Sequence, residues 1–213
     1  MDIIRENLII CDHPLISHKL SILRCKHTDK TEFRTTMHEI AMLIGYEAMR
    51  DLELRYIDIE TPIKTALCPV INGNEPVIVP ILRAGAGMSE GVIKLIPNAL
   101  IGLVGISRDK ETLKTTEYLC KLPSNLDNRK IYVMDPMLAT GGSAIAAIDS
   151  IKRRGGRDIT FLCIIAAPNG IDTLLSAHPD IKLVVGNVDN DVNERAFVSP
   201  GFGNAGDRYF GTE

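Results

Sequence analysis

The stretch Lys130-Ile-Tyr-Val-Met-Asp-Pro-Met-Leu-Ala-Thr-Gly-Gly-Ser143 constrains the fold more than any other part of the chain. β-Branched, aromatic and apolar residues run up to an acid, Asp135. A turn of small residues follows, and an alanine-rich helical pattern starts at Ser143 and continues to Arg154, where Gly155-Gly156 closes it. This is the sequence form of a strand, a loop of phosphate size and a helix. Other segments repeat the theme. Pro76 to Leu82, Ala99 to Ile106 and Ile159 to Ile165 are continuous apolar runs, as expected of strands buried on both faces. Helical periodicity follows through Met88, Val92, Ile93 and Ile96 up to Pro97, and again from Ile171 to Ala177 before a last strand, Ile181 to Val185. The alternation predicts an α/β fold with a parallel, doubly wound sheet and flanking helices. With 213 residues and no linker or internal repeat, a single domain is expected over 1–213.

Before this core, Leu8 to Ile10 is a short apolar run and Asp12 before Pro14 a helix start; this N-terminal arm is expected to cover a sheet edge or reach a partner subunit. A second helix carries Phe33, Met37, Ile40, Ala41, Ile44, Ala48 and Met49 on one face, with Thr28 or Thr31 as its cap. Tyr56 to Thr61 alternates like a half-exposed strand, and Asn72-Gly73 has the composition of a hairpin turn. Thr112 to Tyr118 suits an extended hairpin arm. From Asp189 the pattern breaks, but Phe197, Phe202, Tyr209 and Phe210 do not suit a disordered tail, so residues 189–213 are expected to fold as a hood.

Composition excludes several function classes. A formal net charge of -3, no Trp and few aromatics argue against a nucleic-acid surface. Five scattered Cys without a CxxC pair support neither a zinc site nor a disulfide framework, and suit a reduced, cytoplasmic setting. No signal peptide pattern opens the chain, and no apolar run reaches the ~18 residues of a membrane helix.

In an open parallel sheet, ligands gather beyond the carboxyl ends of the strands. There the sequence delivers Arg83, Arg108, Asp135 with its glycine loop, and Ala166-Ala-Pro-Asn-Gly170. Thr140-Gly-Gly-Ser143 suits an anion, because amides at a helix start lack partners and carry partial positive charge. The competing reading is an ordinary glycine turn with Ser143 as the helix cap. No Gly-Lys-Ser/Thr occurs, which disfavours a P-loop, and Glu90 replaces the third glycine of the dinucleotide pattern begun at Gly85 and Gly87. None of the five His falls at metal-ligand spacing, and no protein-borne metal site is assigned.

These residues carry a resemblance. Asp135-Pro-Met-Leu-Ala-Thr-Gly-Gly-Ser143 resembles the 5-phosphoribosyl diphosphate (PRPP) motif of the phosphoribosyltransferases, and its Asp-Pro-Met-Leu form resembles the uracil branch. Asp12-His-Pro-Leu-Ile16, Pro80-Ile-Leu-Arg-Ala-Gly85, Arg108-Asp-Lys-Glu-Thr112, Ala166-Ala-Pro168 and Pro200-Gly-Phe-Gly-Asn-Ala-Gly-Asp207 extend the likeness along nearly the whole chain. The resemblance implies a phosphoribosyltransferase fold with a C-terminal hood and the reaction of PRPP with uracil to give UMP and pyrophosphate. Mg2+ would assist, held mainly through PRPP and water. It assigns Asp135, Arg83 and Arg108 to catalysis. It assigns Arg83, Arg108, Asp135, Pro136, Met137, Leu138, Ala139, Thr140, Gly141, Gly142, Ser143 and Asn204 to PRPP, and Val198, Gly203, Asn204 and Ala205 to uracil. It also implies a homodimer or homotetramer, and GTP as an activator of some members. Three positions depart from common patterns: Pro136 replaces a second acid (usual in the uracil branch), Asn204 stands where Asp is common, and Phe197 where Tyr is common. The alternatives are a phosphoribosyltransferase for another nucleobase and a nucleotide-binding RNA regulator on the same fold.

Overall fold

The uninterrupted apolar segments become the middle of one sheet because helices cover both of its faces. The structure, a computed structural model, describes residues 6–108, 115–193 and 196–212, the side chain of Arg108 excepted. In chain order the elements are β1 (Leu8–Ile10), α1 (Pro14–Arg24), α2 (Lys30–Ala48), β2 (Leu54–Glu60), β3 (Thr65–Ile71), β4 (Val77–Leu82), α3 (Ala86–Ile93), β5 (Leu100–Ile101), β6 (Leu103–Arg108) and β7 (Thr115–Lys121). After a 3-10 turn come β8 (Lys130–Met134), β9 (Met137–Leu138), α4 (Gly142–Arg153), β10 (Asp158–Ala166), α5 (Pro168–Ala177), β11 (Lys182–Val188), β12 (Asp191–Val192), β13 (Val198–Ser199) and α6 (Ala205–Phe210).

The main sheet runs β1-β11-β10-β8-β4-β6-β7, with β5 also on β4 and β9 also on β10. All these pairings are parallel except β6 with β7, so the sheet is mixed at one edge. Along β10 successive side chains alternate between two cores. Leu162 and Ile164 face the core built with α1, α2 and α3, whereas Phe161 and Cys163 face the one built with α4 and α5. The chain moves outward from β4 to β6 and β7, then returns to β8 and moves the other way through β10 and β11. The reversal between β4 and β8 opens a crevice at their carboxyl ends, where a ligand is expected.

The N-terminal arm covers a sheet edge: Leu8 to Ile10 pair in parallel with Leu183 to Val185. Helix α1 starts at Pro14, as expected, and His13 is its cap, with Nδ1 accepting from the Leu15 N–H. Several local expectations are corrected. Asp29, rather than Thr28 or Thr31, caps α2, accepting from the N–H groups of Thr31 and Glu32; a carboxylate there also meets the positive end of the helix. β2 pairs with β3, and the hairpin closes at 61–64 around the Thr61 hydroxyl, not at Asn72-Gly73. Asn72-Gly73 instead leads out of the hairpin toward β4, with Gly73 at φ +88°. The single strand expected over 99–106 is two, parted at Gly102, where an added Cβ would lie 2.6 Å from the Leu122 side chain. Helix α3 ends at Ile93, short of Pro97. Of the arm expected over 112–118, residues 115–118 begin β7 and the rest lies outside the described residues.

Candidate active site

The candidate site draws on the ends of β4 and β8 and the start of α4, and the C-terminal segment reaches the turn after β4 through Asp207. Strand β8 is buried from Ile131 to Met134 and delivers Asp135 to the rim. The Asp135 N–H still donates to Leu162 O at 3.2 Å, so the acid stays in register with the sheet. Its carboxyl is partly accessible yet crowded by protein. Burial pushes it up to about 7, while the Met137 N–H pulls the other way. Pro136 turns the chain, and its carbonyl accepts from the N–H groups of Ile164 and Ile165. Asp135, Met137, Leu138, Ala139, Thr140, Gly141, Gly142, Ser143 and Ala144 then line one hollow of about 80 Å3.

The start of α4 has no side-chain cap. Gly141 is the N-cap residue at φ +85°, a left-handed conformation that glycine adopts without strain. Ser143 therefore lies inside the first turn and is not the cap. The first N–H groups of a helix have no intrahelical acceptor, and here they face a small hollow beside Asp135. Gly170, at the start of α5, braces the loop from behind: an added Cβ would lie 2.4 Å from Ala139 O. Gly170 escaped assignment from sequence, although its place just after Ala166-Ala-Pro168 was the available signal. Larger hollows occur elsewhere, one of about 390 Å3 beside Cys11 and Tyr46, but it does not adjoin this helix start.

At the end of β4 the chain turns at Arg83, and the Leu82–Arg83 peptide is cis. Gly85 lies against β8, where an added Cβ would come within 2.3 Å of Met134 O. The turn bearing Arg83 is thus held close to the strand bearing Asp135. Arg83 is not on the wall of the small hollow; its Nη2 donates to Asp207 Oδ1 in α6 at 3.0 Å. Backbone pairing puts Arg108 at the end of β6, opposite Thr115. Its side chain lies outside the described residues.

Residues 196–212 pack onto the body through α1, α2 and α3. Phe202 and Tyr209 are buried, and Phe202 meets Phe33 edge-on at 6.1 Å. Arg208 donates to the carbonyls of Leu23, Cys25 and Phe202, with its guanidinium 4.3 Å from the Phe33 ring centre. Asp189, unremarked in the sequence, is the second anchor. It pairs with Arg24 at 2.5 Å and accepts from Gly201 N–H at 2.9 Å and Asn187 Nδ2 at 2.7 Å. Burial pushes its carboxyl up, but Arg24 and these donors outweigh that and hold it below the usual carboxylate range. Val198 and Ala205 are buried, whereas Gly203 and Asn204 are exposed at the tip. Among the described residues, no group of three or more His, Cys, Asp or Glu is placed to hold a metal ion.

Comparison with known proteins decides the family. The family model described as uracil phosphoribosyltransferase matches residues 10–212. The chain belongs to the uracil phosphoribosyltransferase family. Two curated members are each 52% identical to it: one from Agathobacter rectalis, covering 97% of this chain and 99% of its own, and one from Streptococcus thermophilus, covering 96% and 98%. Both are named uracil phosphoribosyltransferase. Among solved structures, the AQ2163 protein from Aquifex aeolicus superimposes with a TM-score of 0.91 at 35% identity over 95% of this chain and 97% of its own. An adenine phosphoribosyl transferase from Trypanosoma brucei shares the fold alone, with a TM-score of 0.60 at 14% identity over 94% and 90% of the two chains. The uracil phosphoribosyltransferase family thus accounts for the chain from β1 to the hood.

Proposed function

We propose that the protein transfers the 5-phosphoribosyl group from PRPP to uracil, forming UMP and pyrophosphate in pyrimidine salvage. The observation that carries this reading is the uncapped start of α4 sharing one hollow with Asp135; family membership supplies the reaction. The amides and hydroxyls from Ala139 to Ser143 hold the 5-phosphate, which takes the place a capping side chain would occupy. Met137 and Leu138 form the wall beneath the ribose, with Pro136 fixing the turn. Asp135 lies by the ribose hydroxyls and C1, where breakage of the bond to pyrophosphate develops positive charge. An anionic carboxylate at that point stabilises the transition state more than the ground state.

Arg83 and Arg108 take the negative charge that collects on the leaving pyrophosphate. The tip residues Gly203, Asn204 and Ala205, with Val198, present backbone groups to the uracil edge. The folded hood excludes water from C1. Uracil loses its N1 proton as the new bond forms, and no side-chain base is assigned to it.

One carboxylate without a neighbouring acid leaves few protein ligands, so Mg2+ would be held mainly through PRPP oxygens and water. When bound, the ion neutralises charge on the pyrophosphate. The reading also includes assembly into a homodimer or homotetramer, supported by exposed apolar side chains such as Tyr56, Ile63 and Leu67 on the β2–β3 hairpin. Activation by GTP and a cytoplasmic setting, with which five free thiols agree, complete it. Neither nucleic acid nor membrane is a partner in it. Incubation with PRPP, Mg2+ and single nucleobases tests the reading. Uracil should release pyrophosphate and yield UMP; release with hypoxanthine and not uracil would overturn the substrate assignment.

A further inference from the structure

We propose that Asp207 is a positioning residue for Arg83, and that it joins the arginine that meets pyrophosphate to the loop that meets the base. The proposal rests on the reading of the site given above. Asp207 is 8% exposed and held on several sides. Its Oδ1 accepts from Arg83 Nη2 at 3.0 Å and from the Thr212 hydroxyl at 2.5 Å. Its Oδ2 accepts from Asn204 Nδ2, and its N–H donates to Asn204 Oδ1 at 3.3 Å. The carboxylate is therefore held by Asn204 and Thr212, which flank α6, independently of Arg83.

The Arg83 side chain is 56% exposed, with Phe210 5.9 Å from its guanidinium carbon. A guanidinium carries five N–H donors in a rigid plane. Asp207 engages one terminal nitrogen and so sets the orientation of that plane, leaving other donors for a phosphate. A free arginine would spend binding energy on ordering its long side chain; one already held does not. Gly206 lies close to the same turn, where an added Cβ would meet Ala84 Cβ at 3.8 Å.

Asn204 gives the arrangement its particular chemistry in this chain. An ionised acid at 204 could not donate to Asp207 and would set two carboxylates in contact. The amide donates instead, so the only opposite charge that Asp207 meets in this cluster is that of Arg83. Because Asn204 sits at the tip assigned to uracil, a base bound there and a pyrophosphate on Arg83 share one rigid cluster.

A double-mutant cycle on the full-length enzyme tests this. Asp207→Asn keeps the side-chain volume and removes the charge. In the wild-type background it should lower kcat/KM for PRPP by about ten-fold or more, as expected for a hydrogen bond between charged groups. In an Arg83→Gln background the same change should cost less than about two-fold, because its effect runs through Arg83. Thr212→Val, at the exposed end of the chain, should show a smaller loss that also vanishes in that background, and it serves if Asp207→Asn does not fold. Equal losses in both backgrounds, or none in the wild-type background, would overturn the proposal. Wild-type enzyme that releases no pyrophosphate with uracil would instead overturn the reading of the whole site, and this inference with it.

Discussion

Asp135 combines its proposed catalytic role with a costly position. Its carboxyl is pushed up to about 7 by burial, whereas stabilising a cationic ribose requires the anion. The free enzyme should therefore show kcat/KM for PRPP rising with pH through about 7, and Asp135→Asn should give a low, flat profile. Stability has the opposite sign. A carboxyl that binds its proton more tightly in the folded state stabilises the fold at low pH, and that contribution falls as pH rises from the ordinary carboxylate range toward 7. His38 and His178, both lowered mainly by burial, act the other way, so the Asp135 contribution is the difference between wild type and Asp135→Asn in melting curves from pH 4 to 8. At Arg83, truncation to Ala should reduce kcat/KM for PRPP by about 100-fold, the scale of losing one charged donor to a developing anion; near-normal turnover would remove Arg83 from the pyrophosphate site. These residues were legible in sequence because each ends a buried apolar strand. Asp207 was visible within Pro200-Gly-Phe-Gly-Asn-Ala-Gly-Asp207, but its partner lies in the turn just after β4, 124 positions earlier, a pairing that no local pattern encodes.

At the scale of elements, the loop proposed to hold the phosphate depends on a second element pressed against it. Gly170→Ala would drive a methyl group to 2.4 Å from Ala139 O, so either the loop or α5 must move. The expected result is UMP affinity weakened by about ten-fold or more, measured by calorimetry, with melting temperature lowered by only a few degrees, the scale of about 1 kcal/mol of overpacking strain. The hood hangs on its anchors in a comparable way. Asp189→Ala would leave Arg24 and the Gly201 N–H without their carboxylate, a loss of about 3 kcal/mol, seen as a melting temperature lower by roughly 6–12 °C. Strands buried on both faces, β4, β8 and β10, announce themselves as apolar runs. β3 does not, because its alternate residues face outward and Pro69 interrupts it. The same limit misplaced the hairpin turn: Thr61 closes it with a side-chain hydroxyl, a weaker sequence signal than Asn-Gly.

For the whole molecule, the sheet order explains why chemistry from distant segments meets. The reversal between β4 and β8 brings the Arg83 turn beside Asp135, and α6 closes onto that turn through Asp207. Alternating strands and helices made the sheet legible in sequence. The antiparallel edge β7 was foreseen as a hairpin arm, but its full length to Lys121 and its register on β6 were not, since these depend on the fold around it rather than on its own polar sequence. The tail was legible as folded from its aromatics, but its attachment through Arg208 and Arg24 was not, because arginine is ordinarily a surface residue. If one crevice holds the phosphate at the start of α4 and the base at the tip of the hood, a crystal structure with UMP bound will show both contacts at once. Phosphate oxygens are expected ~3 Å from backbone N–H groups at the start of α4, with the pyrimidine edge facing Gly203 to Ala205. A nucleotide seated elsewhere, or one whose base turns away from that tip, would contradict that arrangement.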